Sequence, residues 1–234
     1  MKVRIKFSKT GPLKYIGHLD IMRYFQKLNR RANIPVAYSE GFSPHQILSF
    51  SPPLSLGAES LGEYADLEIT ELINSDEAIS ELNKHSVDGI EIYSFKQLPE
   101  KSPNAMSCVT AARYLCSLKD TISVPFDVNE ELANLFLLKE INVVKKTKKN
   151  ETTINIRPLV YAYSFPNNEK AEFLLSAGSI DNLKPELIYK VIFDKYNIEM
   201  PDRPLDIIRI DMYTGEKDNL VSLNDIGMDI KCVK

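Results

Sequence analysis

A small group of histidine and carboxylate side chains in the N-terminal third could perform acid–base chemistry or bind a metal ion. His18 and Asp20 stand at the start of a predicted helix, and Glu40 and His45 follow in a loop rich in turn-forming residues. Histidine titrates near neutrality and serves as a general base or as a metal ligand. The four residues meet only if the loop folds back on the helix start, because no short ligand spacing links them. The alternative is that His18 caps or packs at the helix start.

Basic residues of the same region have the spacing of a phosphate-binding surface. Arg23, Lys27 and Arg30 recur at about one helical turn, so their charged groups can lie in one line, with Arg31 beside them. Such a line neutralises phosphates and releases counterions. The alternative is an ordinary solvated helix face, ion-paired with carboxylates elsewhere in the chain. Four basic residues of the preceding strand and turn extend the predicted surface: Arg4, Lys6, Lys9 and Lys14.

Two loops add to this predicted surface. The segment from Tyr38 to His45 offers the rings of Tyr38 and Phe42, which suit stacking on unpaired bases. The alternative is that both rings pack under a sheet.

A lysine-rich hairpin tip in the second half of the chain has two interpretations. It is either a phosphate clamp or a strand edge that lysines protect against pairing with another strand. Its basic residues are Lys145, Lys146, Lys148 and Lys149.

Charge is distributed in blocks along the 234 residues, although the net charge is only −3. Residues 1–62 carry nine lysines and arginines against three carboxylates, a net charge of +6. Residues 63–100 carry two against ten, a net charge of −8, and the remainder is near neutral at −1. Because local potential governs which partner approaches, the basic block favours a polyanion. The other interpretation is that the two blocks neutralise each other within one fold.

Composition argues against several classes of protein. Three scattered cysteines without a CxxC spacing argue against a disulfide framework, a zinc site and an iron–sulfur cluster. No apolar run reaches the roughly 18 residues of a membrane helix, and the N-terminus lacks the apolar core of a signal peptide. Glycine-rich phosphate loops and Ser-His-Asp signatures are also missing. We therefore expect a cytoplasmic protein without cofactor, metal or membrane contact.

Periodicity predicts an α+β fold. Residues 3–7 alternate as a strand with one basic face, and an apolar stripe at helical spacing follows before Pro35. Strands, a helix capped by Asn74 or Ser75 and a last strand complete a β-α-β-β-α-β order, which the second half repeats with an extra hairpin. We therefore predict two tandem ferredoxin-like (βαββαβ) halves with antiparallel sheets, in domains 1–100 and 105–234. The stripe consists of Leu19, Met22, Phe25, Leu28 and Ala32.

The first third of the chain contains six spaced segments with specific residue patterns: Phe7–Gly11, Gly17–Asp20, Arg30–Ala32, Ala37–His45, Ser49–Gly57 and Gly62–Asp66. Together they resemble the radical-SAM-linked protein family, an uncharacterised bacterial family also known as DUF2344. The resemblance implies an accessory protein that acts beside a radical S-adenosylmethionine protein, around RNA or the ribosome. This chain lacks the three-cysteine ligand set of the radical enzyme, so that enzyme is expected as a partner. We therefore expect an RNA-binding accessory or adaptor protein for structured RNA, of ribosomal or transfer type.

Two alternative functions remain open at this point. One is an RNA-processing or RNA-modifying enzyme that uses His18 or His45, by analogy with CRISPR repeat endonucleases and tRNA pseudouridine synthases of tandem ferredoxin-like architecture. The chain departs from both, because it lacks the glycine-rich loop of the former and the nucleophilic aspartate of the latter. The other alternative is a protein-interaction scaffold for the radical enzyme, with no RNA contact. We expect no catalysis by this chain itself.

Overall fold

A computed structural model describes residues 1–146, 151–178 and 181–231 of the chain. It shows a mixed α/β protein with a mostly antiparallel sheet. Within these ranges no helix is long and apolar enough to cross a membrane. The strands and helices, in chain order, are β1 (Lys2–Lys9), α1 (His18–Arg31), β2 (Leu48–Phe50), β3 (Glu59–Glu68), α2 (Ser75–Lys84), β4 (Ile92–Gln97), α3 (Ala105–Cys108), β5 (Ala111–Leu118), α4 (Val128–Leu137), β6 (Asn142–Lys146), β7 (Glu151–Asn155), β8 (Val160–Ser164), β9 (Ala171–Ser176), α5 (Pro185–Lys195), β10 (Leu205–Thr214), β11 (Val221–Ser222) and β12 (Met228–Asp229).

The chain divides into two compact units. The first consists of Met1–Thr110 together with Arg209–Lys234, and the second is Ala111–Ile208. The predicted division into 1–100 and 105–234 places the C-terminal segment in the second domain, whereas its contacts group it with the first unit. Strand β10 begins in the second unit and ends in the first.

Strand β1 lies in the middle of the first unit's sheet. The strand order is β12-β4-β1-β3-β10, with β2 paired to β3 and β11 paired to β10. Both neighbours of β1 are antiparallel to it, so that Ile5 stands opposite Ala65 on one side and Phe95 on the other. Because β1 is a central strand, its side chains meet other residues on both faces of the sheet.

One face of this sheet is apolar and is covered by α1 and α2. Helix α1 buries Ile21, Phe25 and Leu28, which recur at i, i+4 and i+7 and therefore lie on one side of the helix. The ring centroids of Phe25 and Phe7 are 4.5 Å apart. The predicted stripe was wrong at its start: Leu19 is 65% exposed, and Ile21 is buried instead.

The other face of the sheet is polar, and it too is covered. Asp66 on β3 accepts a hydrogen bond from the backbone N–H of Ala105, at the start of α3, over 2.8 Å. Ser94 and Lys96 on β4 both donate to Asn224 of the C-terminal segment, over 2.7 and 2.8 Å. The basic face predicted for β1 therefore does not lie open to solvent.

The second unit has the strand order β10-β5-β9-β8, and β6 and β7 form a separate two-stranded sheet. Helix α4 begins where predicted, since the Asp127 side chain caps it by accepting from the backbone N–H of Glu130 over 2.9 Å. Pro185 opens α5, as predicted. Helices α4 and α5 supply buried residues to this unit, among them Phe136 and Ile192.

Candidate nucleic-acid interface

Helix α1 exposes the three basic residues predicted to form a line. Arg23, Lys27 and Arg30 lie on the solvent side of the helix, opposite its buried apolar stripe. Among the described residues, Arg23 pairs only with Asp20, in an exposed ion pair of 3.3 Å within the first turns of the helix. Lys27 has no ion pair with any described residue. We use the term α1 basic stripe for Arg23, Lys27 and Arg30.

A loop docks on the C-terminal half of α1. The loop is closed by a bridge between Tyr38 and Gln46 and by hydrogen bonds between Ser39 and His45, including one of 2.9 Å between Oγ and Nδ1. The buried Gln46 side chain joins the loop to the helix, because it accepts from Asn29 over 3.0 Å and donates to the carbonyl of Gln26 over 3.1 Å. We call residues 38–46 the docked loop.

The docked loop presents two exposed aromatic rings. Phe42 follows Gly41, whose φ of +105° suits glycine at a sharp turn, and its side chain is fully exposed. Tyr38 is 47% exposed. The hydrogen bond from Gln46, together with the neighbouring Arg30 guanidinium, lowers the pKa of Tyr38. The rings therefore do not pack under the sheet, and one of them adjoins the α1 basic stripe.

Arg31 plays a different part from the other cations of α1. Its guanidinium donates to the carbonyl of His85 over 3.3 Å and lies over the ring of Tyr24 at 5.9 Å. These contacts hold the end of α1 to the segment that follows α2. Arg31 is nevertheless exposed, so a phosphate could still approach it.

Arg4 is not part of any exposed basic surface. It is 2% exposed and forms a two-pronged ion pair with Asp66, with N–O distances of 2.7 and 2.9 Å. A third hydrogen bond runs from Arg4 to the carbonyl of Pro103 over 3.2 Å. The predicted phosphate contact by Arg4 is excluded by this burial, because the guanidinium already serves internal acceptors.

The other basic residues before α1 are also engaged or buried. Lys6 pairs with Asp211 over 3.2 Å, and Lys14 pairs with Glu59 over 3.5 Å. Lys9 is 5% exposed. Lys6 and Lys9 therefore do not extend the α1 basic stripe, and Lys14 is only half-buried with its charge balanced. The alternation of residues 3–7 placed Arg4 and Lys6 on the face opposite the apolar core, but it did not indicate what covers that face.

The four candidate catalytic residues are not brought together. Residues His18 and Asp20 lie at the start of α1, whereas Glu40 and His45 belong to the docked loop near its C-terminal half. His18 packs edge-on against the Phe50 ring, with centroids 5.8 Å apart. Across the described ranges, no group of three or more His, Cys, Asp and Glu side chains could hold a metal ion.

The side chains of the predicted lysine clamp lie outside the described part of the structure. Strands β6 and β7 form the predicted hairpin, with Val144 opposite Thr153. Lys145 and Lys146 belong to β6, and the positions of their side chains are not described. Lys148 and Lys149 fall outside the described residues.

Sequence reasoning missed the amides that position the docked loop. Asn29 is buried on the loop side of α1, and Gln46 is 3% exposed. A polar amide at a predicted inward position of a helix is a usable signal, because a buried amide needs a partner. The partner itself lies 17 residues away and could not be read from local pattern.

The sequence of this chain matches the model of a known protein family. The model of an uncharacterised protein family conserved in bacteria, DUF2344, matches residues 2–185. The chain belongs to this family. The match includes α1, the docked loop and most of the second unit, and it ends at the first residue of α5. A search of curated proteins found no match.

Proposed function

We propose that this DUF2344 protein is an RNA-binding accessory protein that contacts RNA through the α1 basic stripe and the docked loop. The observation that carries the proposal is that Arg30, at the end of an exposed line of cations, adjoins the exposed ring of Tyr38 in a loop that also exposes Phe42. Cations attract phosphates, and exposed rings stack on unpaired bases. The combination favours a structured RNA with unpaired nucleotides over a smooth duplex.

The dimensions of the stripe fit a nucleic-acid backbone. Arg23 and Arg30 are seven residues apart, which corresponds to about 10 Å along a helix axis. A line of cations of this length can contact a few successive phosphates of one nucleic-acid strand. The ring of Tyr38 adjoins its Arg30 end, where a base leaving the backbone path could stack, and Phe42 is exposed in the same docked loop.

Three finer proposals accompany this one. The strand orders β4-β1-β3-β2 and β10-β5-β9-β8, each with two intervening helices, support two ferredoxin-like halves. The family resemblance supports a radical S-adenosylmethionine protein as partner and a ribosomal or transfer RNA as ligand. The cysteine content supports a cytoplasmic location.

Charge reversal on the stripe tests the RNA proposal. Fluorescence anisotropy with structured RNA, measured over a series of salt concentrations, should show salt-dependent binding by the wild type. Arg23→Glu with Lys27→Glu should weaken binding by at least about tenfold, because phosphate contacts are lost. The slope of affinity against salt concentration should also fall by roughly one unit for each lost contact. Unchanged binding by this folded variant would contradict the proposal.

A matched control separates a local effect from a change in net charge. Lys184 and Lys190 are exposed lysines at the start and on the surface of α5. Lys184→Glu with Lys190→Glu makes the same change in net charge as the stripe variant. We expect this control to bind RNA nearly as the wild type does. Equal losses in both variants would mean that overall charge, rather than the stripe, governs binding.

Incubation with total RNA distinguishes the enzymatic alternative. Discrete cleavage or altered nucleosides, lost in both His18→Ala and His45→Ala, would show that the chain is an enzyme rather than an accessory protein.

Affinity purification in the presence of nuclease tests the scaffold alternative. A radical enzyme that stays bound after nuclease treatment, to a chain that fails to bind RNA, would favour a scaffold.

A further inference from the structure

A small cavity in the first unit lies where β1, the start of α1, β3 and the segment after β2 meet. Its volume is about 20 Å³, and its polar lining residues are Lys9, His18, Ser51 and Glu63. Pro53 is exposed at its rim, and His18 is half-buried, so the cavity borders the surface. A space of this size holds about one water-sized group.

Lys9 is the unusual member of this lining. Its side chain is 5% exposed, and its ammonium group has no hydrogen bond or ion pair with any described residue. Lysine is almost never buried to this degree unless it is paired. Burial lowers the pKa of Lys9; the Glu63 carboxylate opposes this effect, and the Arg209 guanidinium adds to it.

Glu63 does not neutralise Lys9, because another cation already holds it. Arg209 donates to the Glu63 carboxylate over 2.5 Å and to the carbonyl of Pro52 over 3.1 Å. The Glu63–Arg209 pair is nearly fully buried and is neutral as a unit. The charge left over at the cavity is the positive charge of Lys9.

The first turn of α1 adds to this positive character. Gly17 begins the helix and offers no side chain to cap its backbone N–H groups. Ile16, His18 and Ile21, from the entry to the helix and its first turn, line the cavity. The N-terminus of a helix carries a partial positive charge and donates to anions. A buried unpaired cation and an uncapped helix start thus meet at one small cavity.

We propose that this cavity binds the oxyanion head of a ligand, a carboxylate or a terminal phosphate, with Lys9 as its counter-ion. The size of the cavity admits about one oxygen of the head and leaves the rest of the ligand outside, past Pro53. His18 and Ser51 also line the cavity and are the other polar groups that could hydrogen-bond the oxygen that Lys9 attracts. The proposal does not depend on RNA binding by the α1 basic stripe.

Anion-dependent thermal stability tests the site. Formate, acetate and inorganic phosphate, each titrated at constant ionic strength with chloride as the reference salt, should raise the unfolding temperature of the wild type in a saturable way. Lys9→Met keeps the length of the side chain and removes its charge, and it should weaken the response at least tenfold. Lys14→Met removes a nearby lysine that pairs with Glu59, and it should respond as the wild type does.

The responses also identify the source of the oxyanion. A larger response to formate and acetate indicates a carboxylate ligand, whereas a larger response to phosphate indicates a phosphorylated one. An RNA oligonucleotide with a terminal phosphate should then compete with inorganic phosphate better than the same oligonucleotide without it. Loss of RNA binding in stripe variants that keep the phosphate response would leave this proposal intact.

Two results would overturn the proposal. One is the absence of any saturable response in the wild type to all three anions. The other is an equal response in the wild type and in Lys9→Met. If Lys9→Met does not fold, His18→Ala replaces it, and the protection of Lys9 from amine acylation by phosphate is measured in the wild type by mass spectrometry. Lys9 acylation that phosphate leaves unchanged would then count against the site.

Discussion

Strand β1 and helix α1 carry similar numbers of basic residues and use them in opposite ways. On β1, Arg4 is buried in an ion pair, Lys6 is paired and Lys9 is buried at a cavity. On α1, Arg23, Lys27 and Arg30 face solvent. A net charge of +6 over residues 1–62 therefore overstates the positive surface of this region. Charge in a sequence becomes surface potential only where the fold leaves the side chain uncovered.

The difference follows from the position of each element. A central strand has two faces, and in this unit helices cover one while α3 and the C-terminal segment reach the other. A helix that packs on a sheet buries one stripe and leaves the rest to solvent. Arg4 and Lys6 of β1 are therefore expected to serve stability, and the α1 basic stripe is expected to serve binding.

The largest expected effect is the loss of the Arg4–Asp66 pair. Arg4→Met leaves the Asp66 carboxylate buried with only the Ala105 N–H as a described partner, so we expect a loss of about 3–5 kcal/mol in the free energy of unfolding. Replacing both partners, with Arg4→Met and Asp66→Leu, should recover part of this loss. Denaturant unfolding monitored by circular dichroism measures both. A single variant as stable as the wild type would place Arg4 outside the folded core.

The next effect is a loss of stability in alkaline solution. Burial, reinforced by its hydrogen bond to the Asp211 carboxylate, raises the pKa of Tyr64 far above its ordinary value of 10.0. Above that value the unfolded chain releases the phenolic proton while the folded chain keeps it. Stability should therefore be unaffected below about pH 10 and fall by about 1.4 kcal/mol per pH unit above it, for each such tyrosine.

Tyr189 supplies a comparison from the second unit. Burial raises the pKa of Tyr189 as well, and its ring lies in the core beside Phe173. Tyr64→Phe and Tyr189→Phe should each flatten the alkaline slope, which unfolding curves at several pH values would measure. If neither substitution changes the slope, the loss of stability arises from other groups.

A smaller effect is expected at the tip of the docked loop. Phe42→Ala should leave the unfolding temperature unchanged, because the ring is fully exposed and packs on nothing. Its contribution to RNA binding should be about 1–3 kcal/mol if it stacks on a base. Anisotropy titrations with the same RNA compare the two proteins, and Phe42→Trp should retain binding. Full affinity in Phe42→Ala would remove the loop tip from the interface.

The elements of the first unit could largely be predicted from sequence, because their signals are local. The helical spacing of Phe25 and Leu28 indicated the buried side of α1 and therefore which cations face water, although Leu19 was predicted inward in place of Ile21. Residue type and position alone indicated Asn74 or Ser75 as the cap of α2, and Asn74 takes this role. The Asp127 cap of α4, in the second unit, was indicated in the same way.

The features that sequence could not predict depend on distant parts of the chain. Arg4 is buried because it contacts Asp66 and Pro103, which are distant in sequence. Lys6 is paired because Asp211, from the C-terminal part of the chain, lies beside it. Nothing near β1 in the sequence signals either partner. The same holds for Gln46, whose neighbours on α1 hold the docked loop in place.

Charge reversal on the α1 basic stripe itself should have only a small effect on stability. Lys27 has no ion pair with a described residue, and Arg23 has only its exposed pair with Asp20, which is worth little in water. Arg23→Glu with Lys27→Glu should therefore change the free energy of unfolding by about 0.5 kcal/mol or less, in contrast to Arg4→Met. Denaturant unfolding at low and high salt measures this, and the difference should shrink further as salt screens the charges. A loss that approaches the Arg4→Met value would mean that these side chains pair with carboxylates of the 63–100 block. The contrast between strand and helix would then fail, and with it the reason to assign the stripe to binding.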